Sequence, residues 1–146
     1  YIEVEENNTE RSSYHSGFAT PHIVLNYIDY FLRQRDKEHN FVFTNRNSLE
    51  HWYPRHPAQG SIETYDKVDR LGNLCLLTSD INSKFSNASP EEKSRYVKNI
   101  LYPSLKLLEM KKLTEDTSDN KSWKDDKVEK HEIEIIELLK NSIKYY

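Results

Sequence analysis

The stretch Leu71 to Lys84, LGNLCLLTSDINSK, decides the fold of this chain. Residues 71–78 form an apolar run broken only by Gly72, Asn73 and Thr78. The run is short and bounded by turn formers, which predicts a buried strand rather than a helix. Gly72 predicts a bend or a close backbone approach. Asn73 stands inside the apolar run, and a buried amide has to satisfy its hydrogen bonds, so it is expected to bind something specific. Ser79 is positioned to cap a short helix that carries Asn82 and Lys84.

Upstream, LEHWYPRHP, Leu49 to Pro57, runs as an extended piece into Pro54 and places an acid directly before a histidine. Phe41 to Thr44, aromatic and β-branched, reads as a further short strand. Residues 45–48 are turn-like, and 56–69 form a polar loop. Thr20-Pro21 opens a helix, with Thr20 as cap and Pro21 in the first position. Ile23, Tyr27, Tyr30 and Phe31 continue it at helical spacing to about Arg35. Downstream, Ser89-Pro90-Glu91-Glu92 spells a capping box with proline in the first position, for a helix ending before Pro103. Ser104 to Lys112 predicts a short helix. Val128, Ile135, Leu139 and Ile143 predict a long terminal one from about Trp123. Two strands followed by a helix and backed by more helices make an α+β arrangement.

The chain has 146 residues, 36% hydrophobic and 31% charged, which suits one polar domain with a modest core. Residues 1–19 are polar and acidic and read as a linker or disordered lead. Residues 20–146 form the domain, with its ββα core at about 41–88. The first residue is Tyr1 rather than Met, so a piece of a longer protein is expected. Cys75 is the only cysteine. That excludes an internal disulfide and a zinc cage of two or more thiolates, and fits a reducing compartment. No apolar run is long enough to span a bilayer, and no signal-peptide pattern is present. The net charge of −3 does not advertise a polyanion partner. Its distribution is uneven: residues 82–112 carry seven Lys and Arg against three Glu, while 113–146 carry six Lys against nine acids. The basic middle could meet a polyanion locally, and a solvated helix face explains it equally well.

Three polar elements stand beside the predicted core: the Glu50-His51 pair, Asn73 and Asn82. A carboxylate and an amide carbonyl are hard oxygen donors suited to Mg²⁺ or Mn²⁺, which keep several waters. A neutral histidine beside such a metal can take a proton from an attacking water. Residue chemistry alone leaves plainer readings open. Glu50 could be a surface acid paired with Arg46 or Arg55, His51 a satisfied buried ring, Asn73 a strand-to-loop tie and Asn82 a helix cap. Trp52, Tyr53 and Cys75 read as packing residues, and His56 as a loop residue.

The ordered strings LEHWYPRHP, VDRLGNLCLLTSDINSKFSN and SPEEKSRYV resemble the HNH-type (ββα-metal, His-Me finger) nuclease domain at the C-terminus of GmrSD-type modification-dependent restriction endonucleases. The resemblance covers residues 41–97 well and the region from Trp123 more loosely. The segment Asn82 to Asn87 is also similar to the helix of the HNH domain in RNA-guided DNA nucleases. The resemblance implies His51 as the general base and Glu50 and Asn82 as ligands of one divalent metal. It implies Asn73 as a catalytic-site residue orienting the histidine or its strand, and Lys84 and Lys93 as residues facing phosphates. It further implies DNA, including modified phage DNA, as substrate, a 5′ phosphate and 3′ hydroxyl as products, and a bacterial cytoplasmic setting. An upstream nucleotide-binding regulatory domain, in the same or a partner chain, is expected. Arg55 departs from the glutamine the family commonly has after the proline, which puts local substrate contacts in doubt. A catalytically silent nucleic-acid-binding or protein-binding module, and an RNA-directed nuclease, stand as alternatives.

Overall fold

The computed structural model describes residues 21–37, 40–57, 67–120 and 122–144. The expected lead at 1–19, the Thr20 cap and most of the loop after His56 lie outside the described residues. Helix α1 spans Pro21–Asp36, strand β1 Ser48–His51, a 3₁₀ turn Leu71–Asn73, and strand β2 Leu74–Leu77. Helices α2 (Ser79–Phe85), α3 (Pro90–Tyr96), α4 (Leu105–Glu115) and α5 (Asp125–Ile143) follow. The fold is α+β, a two-stranded antiparallel sheet among helices. No helix among the described residues is long and apolar enough to cross a membrane.

The two strands pair in the register Leu49 to Leu76, Glu50 to Cys75 and His51 to Leu74. Every residue of β2 is buried, because alternation sends neighbouring side chains into different cores. Leu74 and Leu76 join Leu25, Ile28, Leu32, Ile135 and Leu139 between α1 and α5. Cys75 and Leu77 join Trp52, Ile81, Phe85, Leu107 and Val128 on the other side. The unbroken apolar run that marked this strand in the sequence thus reflects burial on both faces.

Two local expectations are corrected. Phe41 to Thr44 forms no strand. The segment is instead held by Arg46, whose guanidinium donates to Val42 O at 3.2 Å and Thr44 Oγ1 at 2.9 Å, and to Tyr102 O at 2.9 Å. The Phe41 and Phe43 rings meet edge to face at 4.8 Å, so ring packing and a buried cation replace a ladder. Second, residues 71–73 coil into the 3₁₀ turn before the strand begins. Gly72 explains why: a Cβ there would lie 2.1 Å from Val128 O, so only glycine lets the turn sit against α5. The helix ends follow sequence chemistry more closely, except that Thr78 and not Ser79 stands at the cap of α2, with Ser79 inside the first turn. Ser89 and Glu92 form the full capping box of α3, and Ser104 Oγ caps α4 at Leu107 N.

The core also holds polar groups. Asp29 on α1 accepts from Ser104 Oγ and Lys106 N, both at 3.0 Å, joining α1 to the start of α4. His131 on α5 is buried, and neither ring nitrogen has a hydrogen-bond partner among the described residues. Its ring meets Trp123 edge-on at 6.1 Å. Burial, and then the charge of Lys106, hold the imidazole well below its ordinary value of 6.5. Burial pushes the Lys106 ammonium itself down to about 8.

Two predictions follow from the packing. Gly72→Ala forces the 3₁₀ turn off α5 and is expected to cost at least about 1–3 kcal/mol, the scale of core overpacking, in urea unfolding. The second concerns acid. The folded chain binds a proton at His131 less readily than the unfolded chain does, so the stability tied to its neutral ring is complete above pH 6.5. It is lost as pH falls below that value, by at most about 1.4 kcal/mol per pH unit. His131→Leu, which keeps Trp123, Lys106 and Glu132 around the site, should flatten that slope between about pH 6.5 and 5.

Candidate functional site

The site grows from the end of β1. Glu50 and His51 are neighbours in a strand, so they leave on opposite faces. Glu50 turns toward α3 and is only 3% exposed. Lys93 of α3 meets it there, its ammonium bonded to Glu50 Oε1, to His51 O at 2.8 Å and to Trp52 O at 3.1 Å. A lysine buried among a carboxylate and two carbonyls anchors the strand end. Burial pushes the Glu50 carboxyl up, and the Lys93 charge pulls it back. Lys93 is 1% exposed, so the expectation that it faces phosphate is corrected. Of the basic residues in this stretch, Arg95 and Lys98 stay exposed, while Lys93 turns inward, where Glu50 offers the counter-charge.

His51 turns the other way. Its Nε2 lies 2.8 Å from Asp69 Oδ1, and the same oxygen takes Arg55 through NH2 at 2.5 Å and Nε at 3.1 Å. The His51 side chain is 17% exposed and Asp69 41%. Burial holds His51 below its ordinary value, against the pull of Asp69 upward. A ring kept neutral and half-shielded in this way can accept a proton. No hydrogen bond among the described residues engages its Nδ1.

Asn73 is fully buried, and its amide makes four hydrogen bonds. Oδ1 accepts from Tyr53 N at 2.8 Å and Trp123 Nε1 at 3.0 Å. Nδ2 donates to Tyr53 O at 3.1 Å and Val68 O at 2.8 Å. Its backbone oxygen accepts from Trp52 N at 2.9 Å. None of these bonds reaches the His51 ring. With every polar group bonded and no exposure, Asn73 acts on the strand end and not on the ring, the strand-holding half of its expected role.

Asn82 and Lys84 lie on α2, whose Ile81 and Phe85 pack into the core behind β1. Asn82 is half-buried, and no hydrogen bond among the described residues holds its side chain. Lys84 is exposed, its ammonium 5.8 Å from the Tyr96 ring centre. Neither is hydrogen-bonded to Glu50 or His51. Among the described residues no group of three or more His, Cys, Asp or Glu side chains could hold a metal ion. Of the predicted ligands, the second Glu50 oxygen and the Asn82 amide oxygen take part in no hydrogen bond among the described residues. Both are hard donors that suit Mg²⁺ or Mn²⁺ by type, Glu50 enclosed against Lys93 and Asn82 half-buried on α2. Asp69 escaped the sequence reading, because it lies 18 residues beyond His51 in a polar stretch. Its one signal was an acid just ahead of the Leu-Gly-Asn turn.

The Glu50–Lys93 pair is testable by itself. Lys93→Met should destabilise the chain by roughly 3–5 kcal/mol in urea unfolding, since it strands a buried carboxylate. Adding Glu50→Gln should recover part of that loss, because the uncompensated charge is then gone.

Comparison with known proteins places the chain at the level of family. No curated protein and no solved structure gave a match. The family model described as "GmrSD restriction endonucleases, C-terminal domain" matches residues 3–138, nearly the whole chain and all of the site. A nuclease role is what that family implies. The chain belongs to the GmrSD restriction endonuclease C-terminal domain family.

Proposed function

We propose that this domain is an HNH-type, His-Me finger endonuclease that hydrolyses DNA phosphodiester bonds with the help of one divalent metal ion. The observation that carries the reading is His51: a histidine kept below its ordinary pKa, partly open, at the end of a strand in a β1–β2–α2 unit. His51 takes the proton of the attacking water. Water O–H breaks, the oxygen bonds phosphorus, and the bond to the 3′ oxygen breaks, giving a 5′ phosphate and, after proton uptake from solvent, a 3′ hydroxyl. Glu50 and Asn82 are the residues that would hold Mg²⁺ or Mn²⁺, which supplies Lewis-acid stabilisation of charge on the phosphate when bound. Lys93 keeps Glu50 in place by bonding one of its oxygens. Lys84, exposed on α2, is available to a phosphate. The substrate in this reading is modified DNA of the kind phages carry, chosen by an upstream nucleotide-binding domain in the same or a partner chain.

The test is cleavage of modified and unmodified plasmid DNA, and of RNA, in Mg²⁺ or Mn²⁺ by the protein with its upstream partner. Cleavage of DNA is expected, with His51→Ala slower by on the order of 10²–10⁴-fold. Equal cutting by His51→Ala would remove the assignment. Binding without cutting would make this a silent module, and cutting of RNA alone would move the substrate class.

A further inference from the structure

The structure assigns Asp69 as the positioning residue of His51: its carboxylate fixes the proton on Nε2 and leaves Nδ1 as the atom that accepts the proton of water. This rests on the reading of His51 as the general base. A carboxylate can only accept, so an imidazole nitrogen 2.8 Å from it must carry the hydrogen. In a neutral ring the lone pair is then on Nδ1. No hydrogen bond among the described residues engages that atom, whereas Lys93 takes Glu50 Oε1 and the carbonyls of His51 and Trp52, and Asn73 takes both main-chain groups of Tyr53. His51 is therefore held through Nε2, with Nδ1 engaged by no hydrogen bond among the described residues.

Arg55 completes the arrangement. Its forked contact with Asp69 Oδ1 draws the loop before the 3₁₀ turn toward the segment after β1. Because Arg55 and His51 share one oxygen, the guanidinium holds the carboxylate ionised at the position the ring requires. Arg55 thus replaces the expected substrate-contacting residue with an anchor for the positioning acid. When Nδ1 takes the proton of water, the imidazolium keeps its Nε2–H bond to Asp69, and the new positive charge faces an existing negative one. The proton later leaves from Nδ1 to solvent, restoring the same tautomer.

The test reads the tautomer directly. Nitrogen-15 spectra of the full chain at a pH where His51 is neutral, with the His51 signals assigned by their loss in His51→Gln, report which nitrogen bears hydrogen. The wild-type chain should show hydrogen on Nε2 alone. Asp69→Ala should give a mixture of both forms, and Asp69→Glu should restore Nε2–H at least in part. In cleavage assays Asp69→Ala and Asp69→Asn should lower kcat on the order of tenfold to a hundredfold, with KM unchanged, less than loss of the base itself. An unaltered tautomer in Asp69→Ala overturns the inference. So does an unaltered kcat beside an inactive His51→Ala. If the wild-type chain with its upstream partner cuts nothing, the nuclease reading fails, yet the tautomer still decides whether Asp69 positions the ring.

Discussion

The side-chain amide of Asn73 has two donor hydrogens and two acceptor lone pairs, and the protein uses all of them. They tie together the residue after β1's exit, the loop before the 3₁₀ turn and the indole that leads into α5. A buried amide left half-bonded would be expensive, so these three pieces of chain have one low-energy arrangement around it. The direction in which His51 leaves the strand follows from that arrangement. Gly72 acts beside it, bringing the same turn into van der Waals range of α5. Asn73 and Gly72, adjacent in sequence, therefore fix the sheet to the terminal helix from both polar and steric sides.

Around this anchor the strand end separates its two charged neighbours. Glu50 goes inward to Lys93 and His51 outward to Asp69. The inward pair is nearly dry and the outward one half-wet, so they are suited to different work. A dry ion pair holds geometry at a large cost if broken. A half-wet histidine can exchange a proton with water. Adjacent residues in a strand can do both because alternation puts them in different surroundings. Elsewhere, Asp29 of α1, Arg46 ahead of β1 and Ser104 at the cap of α4 are all enclosed, and they tie segments of chain together rather than face solvent.

Family membership rests on nearly the full chain, and the ordered motifs that suggest it are those the structure gathers at β1, β2 and α2. The restriction-endonuclease family gives the nuclease role. The metal, the HNH chemistry and the modified substrate belong to the proposal built on His51. Lys93 shows how a motif residue can be placed correctly in sequence and still be given the wrong task. Its spacing from Ser89 identifies the helix, but only the contact with Glu50 shows which way the ammonium turns.

Much of the architecture was legible in the residues themselves, because it depends on local rules. The Ser89–Glu92 capping box, Pro21 at the start of α1, the apolar run of β2 and the periodicity of α5 each carry their own signal within a few residues. Phe41 to Thr44 had the composition of a strand but lacked a partner edge, and Arg46 claimed its carbonyl oxygen. At the site, the sequence singles out Glu50, His51, Asn73 and Asn82 as candidates without showing what each one touches. The burial of Lys93, the full bonding of Asn73 and the contact of Asp69 with His51 required the tertiary structure. These rest on pairings across as many as 50 residues, and a charge or amide in sequence does not announce which distant group will share its surroundings once water is excluded.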